Sequence, residues 1–176
     1  MESVIGAIGI TAATTVINSI TTLSSNVFTL MGYIKLSPHI LQSDIIKILN
    51  KSDIETTIRL LQSIISEIPQ YYNNSTSVVI ALKNVQEIIA NIEEELKDIH
   101  NKILYNEKLY IMSNIRSYDF KSNLESIEVK VAILDRRRDN LFKTLEVFKN
   151  FDNMTKTITE NTENKENIID EQIREQ

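Results

Sequence analysis

Apolar residues recur along this chain in steps of three and four, the period of a helix with one buried face. The plainest run is Val78, Leu82, Val85, Ile89, Ile92, Leu96, Ile99, Ile103, Asn106 and Tyr110, which predicts a helix over about 77–112 with a single polar member in its seam. A second run follows with the same spacing: Phe120, Leu124, Ile127, Val131, Leu134, Arg138, Leu141, Leu145 and Phe148. Between the two, Ser113 to Ser117 leaves room for a tight reversal, which makes the helices antiparallel neighbours. Earlier in the chain, Ile54, Ile58, Leu61, Ile65 and Ile68 form a shorter seam that Pro69 ends. Its start has a capping box in Ser52 and Glu55, and a preceding short helix is expected from Ser37 and Pro38 to about Asn50.

The opening stretch is different in kind. Ser3 to Ile34 is 32 residues without a charged side chain. On a helix, Gly6, Gly9, Ala13, Val16, Ile20, Leu23, Val27, Leu30 and Ile34 line one face, while Thr11, Thr14, Asn18, Thr21, Ser25 and Thr29 line the other. Hydroxyls stand where an ordinary surface helix carries Lys and Glu, and a helical Ser or Thr can return its proton to the carbonyl one turn back. Such a face suits a protein neighbour, a bilayer or water. A full membrane span needs about 20 predominantly apolar residues, but eight of the 19 from Val16 to Ile34 are Asn, Ser or Thr. The stretch is therefore read first as a helix docked in the bundle or on a partner, and second as a membrane-entering helix. A cleaved secretory signal is the last of the three readings, because the start bears Glu2 instead of Lys or Arg and no short apolar core ends at a clear small-residue cleavage site.

At about 1.5 Å per residue the four rods come to roughly 48, 46, 54 and 48 Å, the second being broken in two. Matching lengths predict an all-α fold, an antiparallel up-down four-helix bundle over 1–151. From Asp152 the seam stops. Seven acids against three bases in 152–176 hold most of the net charge of −5, and a run so poor in apolar residues is expected to be a disordered acidic tail. Three Gly, all before position 33, and two Pro leave a sheet without the turns it needs.

Composition narrows the chemistry. A nearly neutral body gives phosphate backbones no basic stripe, so nucleic acid is not an expected partner. With no Cys there is no disulfide or thiolate chemistry. The two histidines, His39 and His100, have neither Cys nor a second His at metal-ligand spacing. Gly6 and Gly9 lie inside a helix pattern and not in a phosphate loop. No cofactor, metal, catalytic residue or small-molecule substrate is expected. Asn73 and Asn74 head two overlapping glycosylation sequons, relevant only on a secretory route. A reversal near position 115 sets Arg136, Arg137 and Arg138 opposite Glu93, Glu94 and Glu95, and an interhelical charge cluster is expected there.

The layout resembles the HeLo and HeLo-like helical bundles of fungal cell-death proteins and of the mixed-lineage kinase-like pseudokinase. The resemblance lies in the uncharged, small-residue helix Val4 to Ile34 and in the segment Asn123 to Phe151, whose run Val131, Ala132, Ile133, Leu134 and Asp135 precedes a basic cluster. It implies a bundle that permeabilises membranes or seeds an oligomer once its first helix is released. The near-neutral body departs from that pattern, which uses basic surface on acidic lipid. In composition the chain is also similar to short helical proteins of giant DNA viruses. The expectation is thus a non-enzymatic protein acting on a protein partner or a second copy, with a membrane-active bundle as the alternative and a virion scaffold third. A cytoplasmic location is the default, with a membrane-associated or virion location under the alternatives.

Overall fold

The computed structural model describes residues 2–37, 44–108 and 120–174, with side chains described within these ranges except at 2–11, 44, 106, 152, 156 and 158–174. All of the regular structure among the described residues is helical. The elements are α1 (Glu2–Leu36), α2 (Asp44–Lys51), α3 (Ile54–Ser66), a 3-10 turn (Gln70–Asn74), α4 (Thr76–Lys108) and α5 (Lys121–Arg174). The Pro38 helix start, His39, Tyr110 and the reversal at 113–117 lie outside the described residues. The chain divides into two compact units, Met1–Leu141 and Phe142–Gln176.

In the first unit α1 is the hub, packed against α4, the 3-10 turn, α3 and α2. Its buried line is Ala13, Val16, Ile20, Ser24, Val27, Met31 and Ile34. Leu23 and Leu30, expected on that line, are half-buried, and Ser24 and Met31 take the inner places. The drift of a 3.6-residue helix against a 3.5-residue seam accounts for the exchange. Ser24 is tolerated in the core because its hydroxyl donates to the Ile20 carbonyl at 2.7 Å. Gly6 and Gly9 lie on α1 before the residues whose surroundings are described.

The long seam of α4 is buried at every described apolar position, Val78, Leu82, Val85, Ile89, Ile92, Leu96, Ile99 and Ile103, and Ala81 and Ile88 widen it. α5 adds Leu124, Ile127, Val131, Leu134 and Leu141, and Phe120 just before it is buried as well. Two expectations about local starts change. α3 begins after Asp53, which sits in the left-handed region at φ 49° and makes no side-chain cap; it is the Asp53 carbonyl that accepts the Thr57 N–H. Ser52 turns back to close α2, donating its hydroxyl to the Leu49 carbonyl, so the Ser52–Glu55 capping box does not form. The segment expected as a polar loop is a 3-10 turn whose Tyr72 and Asn73 point inward, against α1 and α4; Ser75 then caps α4 through the Val78 N–H.

In place of the expected disorder, α5 continues as helix to Arg174; the two compact units divide after Leu141. Beyond Pro69 the sequence holds no Gly or Pro to stop a helix, and a turn already nucleated propagates at little cost.

Ile20→Ala, in the line between α1 and α4, is expected to lower unfolding free energy by about 2–5 kcal/mol. Thr21→Ala, one residue on and exposed, should change it by less than ~0.5 kcal/mol. Urea unfolding followed by circular dichroism checks both; equal losses would remove the assignment of the buried line.

Candidate functional site

Cross-helix partners fix how the rods meet. Gln86 donates to Ser19 at 2.8 Å and Asn26 donates to Glu93 at 2.8 Å, both pairs 67 residues apart. The Tyr33 and His100 rings stack at 5.4 Å with the same separation. A constant difference means that α1 and α4 run in the same direction, and the rungs recur every seven residues on each helix, the coiled-coil repeat. Against α3 the sense reverses: Lys35 meets Glu55 at 3.9 Å, while Phe28, earlier on α1, lies under the Arg59 guanidinium at 4.7 Å. α4 and α5 are also opposed, since Lys102 meets Asn123, Glu95 meets Lys130, and Asn84 and Glu87 meet Arg137.

That last pattern corrects the expected charge cluster. Glu93 is buried with Asn26 and with Lys97 of its own helix, at 2.7 Å. Glu95 pairs with Lys130 at 2.6 Å, Arg137 pairs with Glu87 at 3.0 Å, and Arg138 folds back on Asp135 and Asp139, each at 2.9 Å. Glu94 and Arg136 are exposed. The six residues are not brought together: the true register is shifted by about seven residues, two helical turns. A heptad seam fits as well after such a shift, so apolar spacing alone could not choose.

The polar centre that does form between α4 and α5 was not anticipated. Asn123, buried beside the seam, donates both amide hydrogens, to Glu95 and to Asp98 at 2.9 Å each, and accepts from Lys102 at 2.7 Å. Glu95 also accepts from Ser126 at 2.7 Å. Burial works against ionising Glu95, but hydrogen bonds from Lys130, Ser126 and Asn123 outweigh it and hold the carboxyl below its usual pKa. Hydrogen bonds from Lys102 and then Asn123 lower that of Asp98. Each member is satisfied, so the cluster can clamp two helices in register, and it leaves neither carboxylate poised as a base. An Asn one residue before a seam Leu, facing a Glu–x–x–Asp pair, is the signal that could have located it.

An open cavity of about 260 Å³ lies among α1, α2 and α3, floored by Met31 and Leu49 and rimmed by Lys35, Asp53, Glu55 and Arg59. Arg59 holds Glu55 at 2.8 Å and, as the main cause, lowers its pKa. This rim is self-neutralised and ties α3 to α1. Among the described residues there is no group of three His, Cys, Asp or Glu able to hold a metal, and no helix is long and apolar enough to cross a membrane.

Among the described residues, the outer face of α1 combines length with the absence of charge. Thr14, Asn18, Thr21, Ser25 and Thr29 are exposed on it, as are Thr15 and Thr22, while the half-outward Asn26 and Tyr33 reach to α4. Thr21, Thr22 and Thr29 give their hydroxyl protons to the carbonyls of Ile17, Asn18 and Ser25 at 2.9–3.1 Å. Comparisons with protein-family models, curated proteins and solved structures find no match for this chain.

Both carboxylates of the α4–α5 centre have folded pKa values below their unfolded ones. Their stabilisation is therefore full above the unfolded value, about 4, and is lost as pH falls through the lower folded values. Glu95→Gln should lower Tm at pH 7, with the gap to the parent closing as pH is taken below ~4. A gap independent of pH in calorimetry would show that charge at Glu95 is not the source. Asn123→Leu leaves Lys102 and two carboxylates short of partners and is expected to cost about 1–3 kcal/mol, read from chemical unfolding at pH 7.

Proposed function

We propose that this chain is a non-enzymatic helical bundle that works by contact, with the outer face of α1 presented to a protein partner or to a second copy. The four rods close into an antiparallel up-down bundle in which α2 and α3 together are the broken second rod. The running senses support this closure, with α3 opposed to α1, α4 alongside it and α5 opposed to α4. The observation that carries the function is the α1 outer face: seven exposed residues from Thr14 to Thr29 that do not reach to α4, none charged, with three hydroxyl donors satisfied inside the helix. Covering it strips water from no ion, the largest cost in closing a contact. The apolar face of the same helix supports a docked over a membrane-inserted α1, because Ala13, Val16, Ile20, Val27 and Ile34 are already buried.

A photo-crosslinker at exposed Asn18, in cells that make the protein, is expected to trap one discrete protein adduct. Thr21→Lys, Ser25→Lys and Thr29→Lys together should abolish it while leaving Tm within a few degrees of the parent. The same adduct from a crosslinker at Lys83, on the exposed side of α4, or its survival in the triple variant, would overturn the proposal. Flotation with phosphatidylserine vesicles and release of trapped dye, lost in the triple variant, would transfer the face to the membrane-active reading.

A further inference from the structure

We propose that the cleft among α1, α2 and α3 binds a small zwitterionic α-amino acid. It uses none of the residues of the α1 outer face, so either reading can fail alone. Asp53, on the rim, is placed at a cost. Glycine aside, it is the one described residue with a positive φ, at φ 49° and ψ 29°. It also stands at the N-cap of α3, where Asp is favoured because its carboxylate takes an N–H of the first turn. Here the carboxylate makes no such bond and lines the cleft instead. A left-handed backbone and a forgone cap both lower stability, and what they leave in return is a carboxylate in the cleft with no ion pair among the described residues.

The other rim charges are matched unequally. Glu55 holds Arg59 at 2.8 Å, and that bond is the main reason its pKa is lowered. Lys35 reaches the same carboxylate only at 3.9 Å, the outer limit of an ion pair. The rim is neutral in sum, yet it keeps one carboxylate, Asp53, and one ammonium, Lys35, with bonding capacity to spare. A ligand with one charge of each sign answers both, whereas a simple anion or cation meets Asp53 or Lys35 as a like charge. Size narrows the class. The cleft holds about 260 Å³, less than the ~300–1,000 Å³ of sites for drug-sized molecules. Met31 and Leu49 on its floor are 2% and 1% exposed, which leaves almost no apolar surface for a long hydrophobic side chain. Asn50 and Thr56, exposed on its wall, suit a short polar one.

L-serine is therefore the probe. Titrated into the isotope-labelled full chain to about 50 mM at constant ionic strength, it should shift the backbone amides of residues 49–59 and saturate in the millimolar range, the scale for so few atoms in an open cleft. It should raise Tm in step, because a molecule walled by three helices binds only the folded chain. Asp53→Asn keeps the size and tolerates the left-handed backbone; that variant and Lys35→Met should each weaken binding about tenfold or more, with the rest of the spectrum unchanged. N-acetyl-L-serine amide, which carries neither charge, should leave these amides unmoved. No saturable shift with L-serine, or equal binding by either variant or of the blocked amide, overturns the proposal.

Discussion

Everything in the first unit depends on a helix that is uncharged from Ser3 to Ile34 being held in one register against α4. Burial alone cannot set that register, since one apolar residue in the line from Ala13 to Ile34 could face a neighbouring one of α4 almost as well. The rungs decide it. Ser19 with Gln86, Asn26 with Glu93, and Tyr33 on His100 all need the same offset, and a slip would leave the buried Glu93 carboxylate with Lys97 of its own helix but without Asn26. Losing one hydrogen bond to a buried carboxylate costs about 1.5–3 kcal/mol. The polar contacts thus reject wrong alignments while the apolar line supplies the stability.

The same division explains what could be read from the sequence. The inward faces of α1, α4 and the first part of α5 follow from spacing, because burying an apolar line leaves the same mark whatever it is buried against. Pairing leaves no such mark. The hairpin spacing points Glu95 at the Arg136–Arg138 level, yet it meets Lys130, since a seven-residue repeat matches itself after every shift of seven. What breaks the tie is a buried amide, Asn123, whose donors and acceptor are met where Glu95, Asp98 and Lys102 converge. A stray polar residue at the edge of a seam carries more information about register than the seam does.

Ends and turns were less legible for another reason. Ser52 and Glu55 have the composition of a capping box, but Ser52 closes α2 and Glu55 reaches Lys35 and Arg59. Short polar side chains near two helix ends have several carbonyls and amides in reach, and only the fold decides among them. Polarity likewise suggested an outward loop at 70–76, where Tyr72 and Asn73 face in. The acidic composition after Asp152 argued against a packed core, and it argued nothing about a helix propagated from a formed one.

The outward face of α1 has an energetic balance of its own. The face of α1 is cheap to dehydrate but has little apolar area, so a partner there gains mainly from close fit, with specificity from shape.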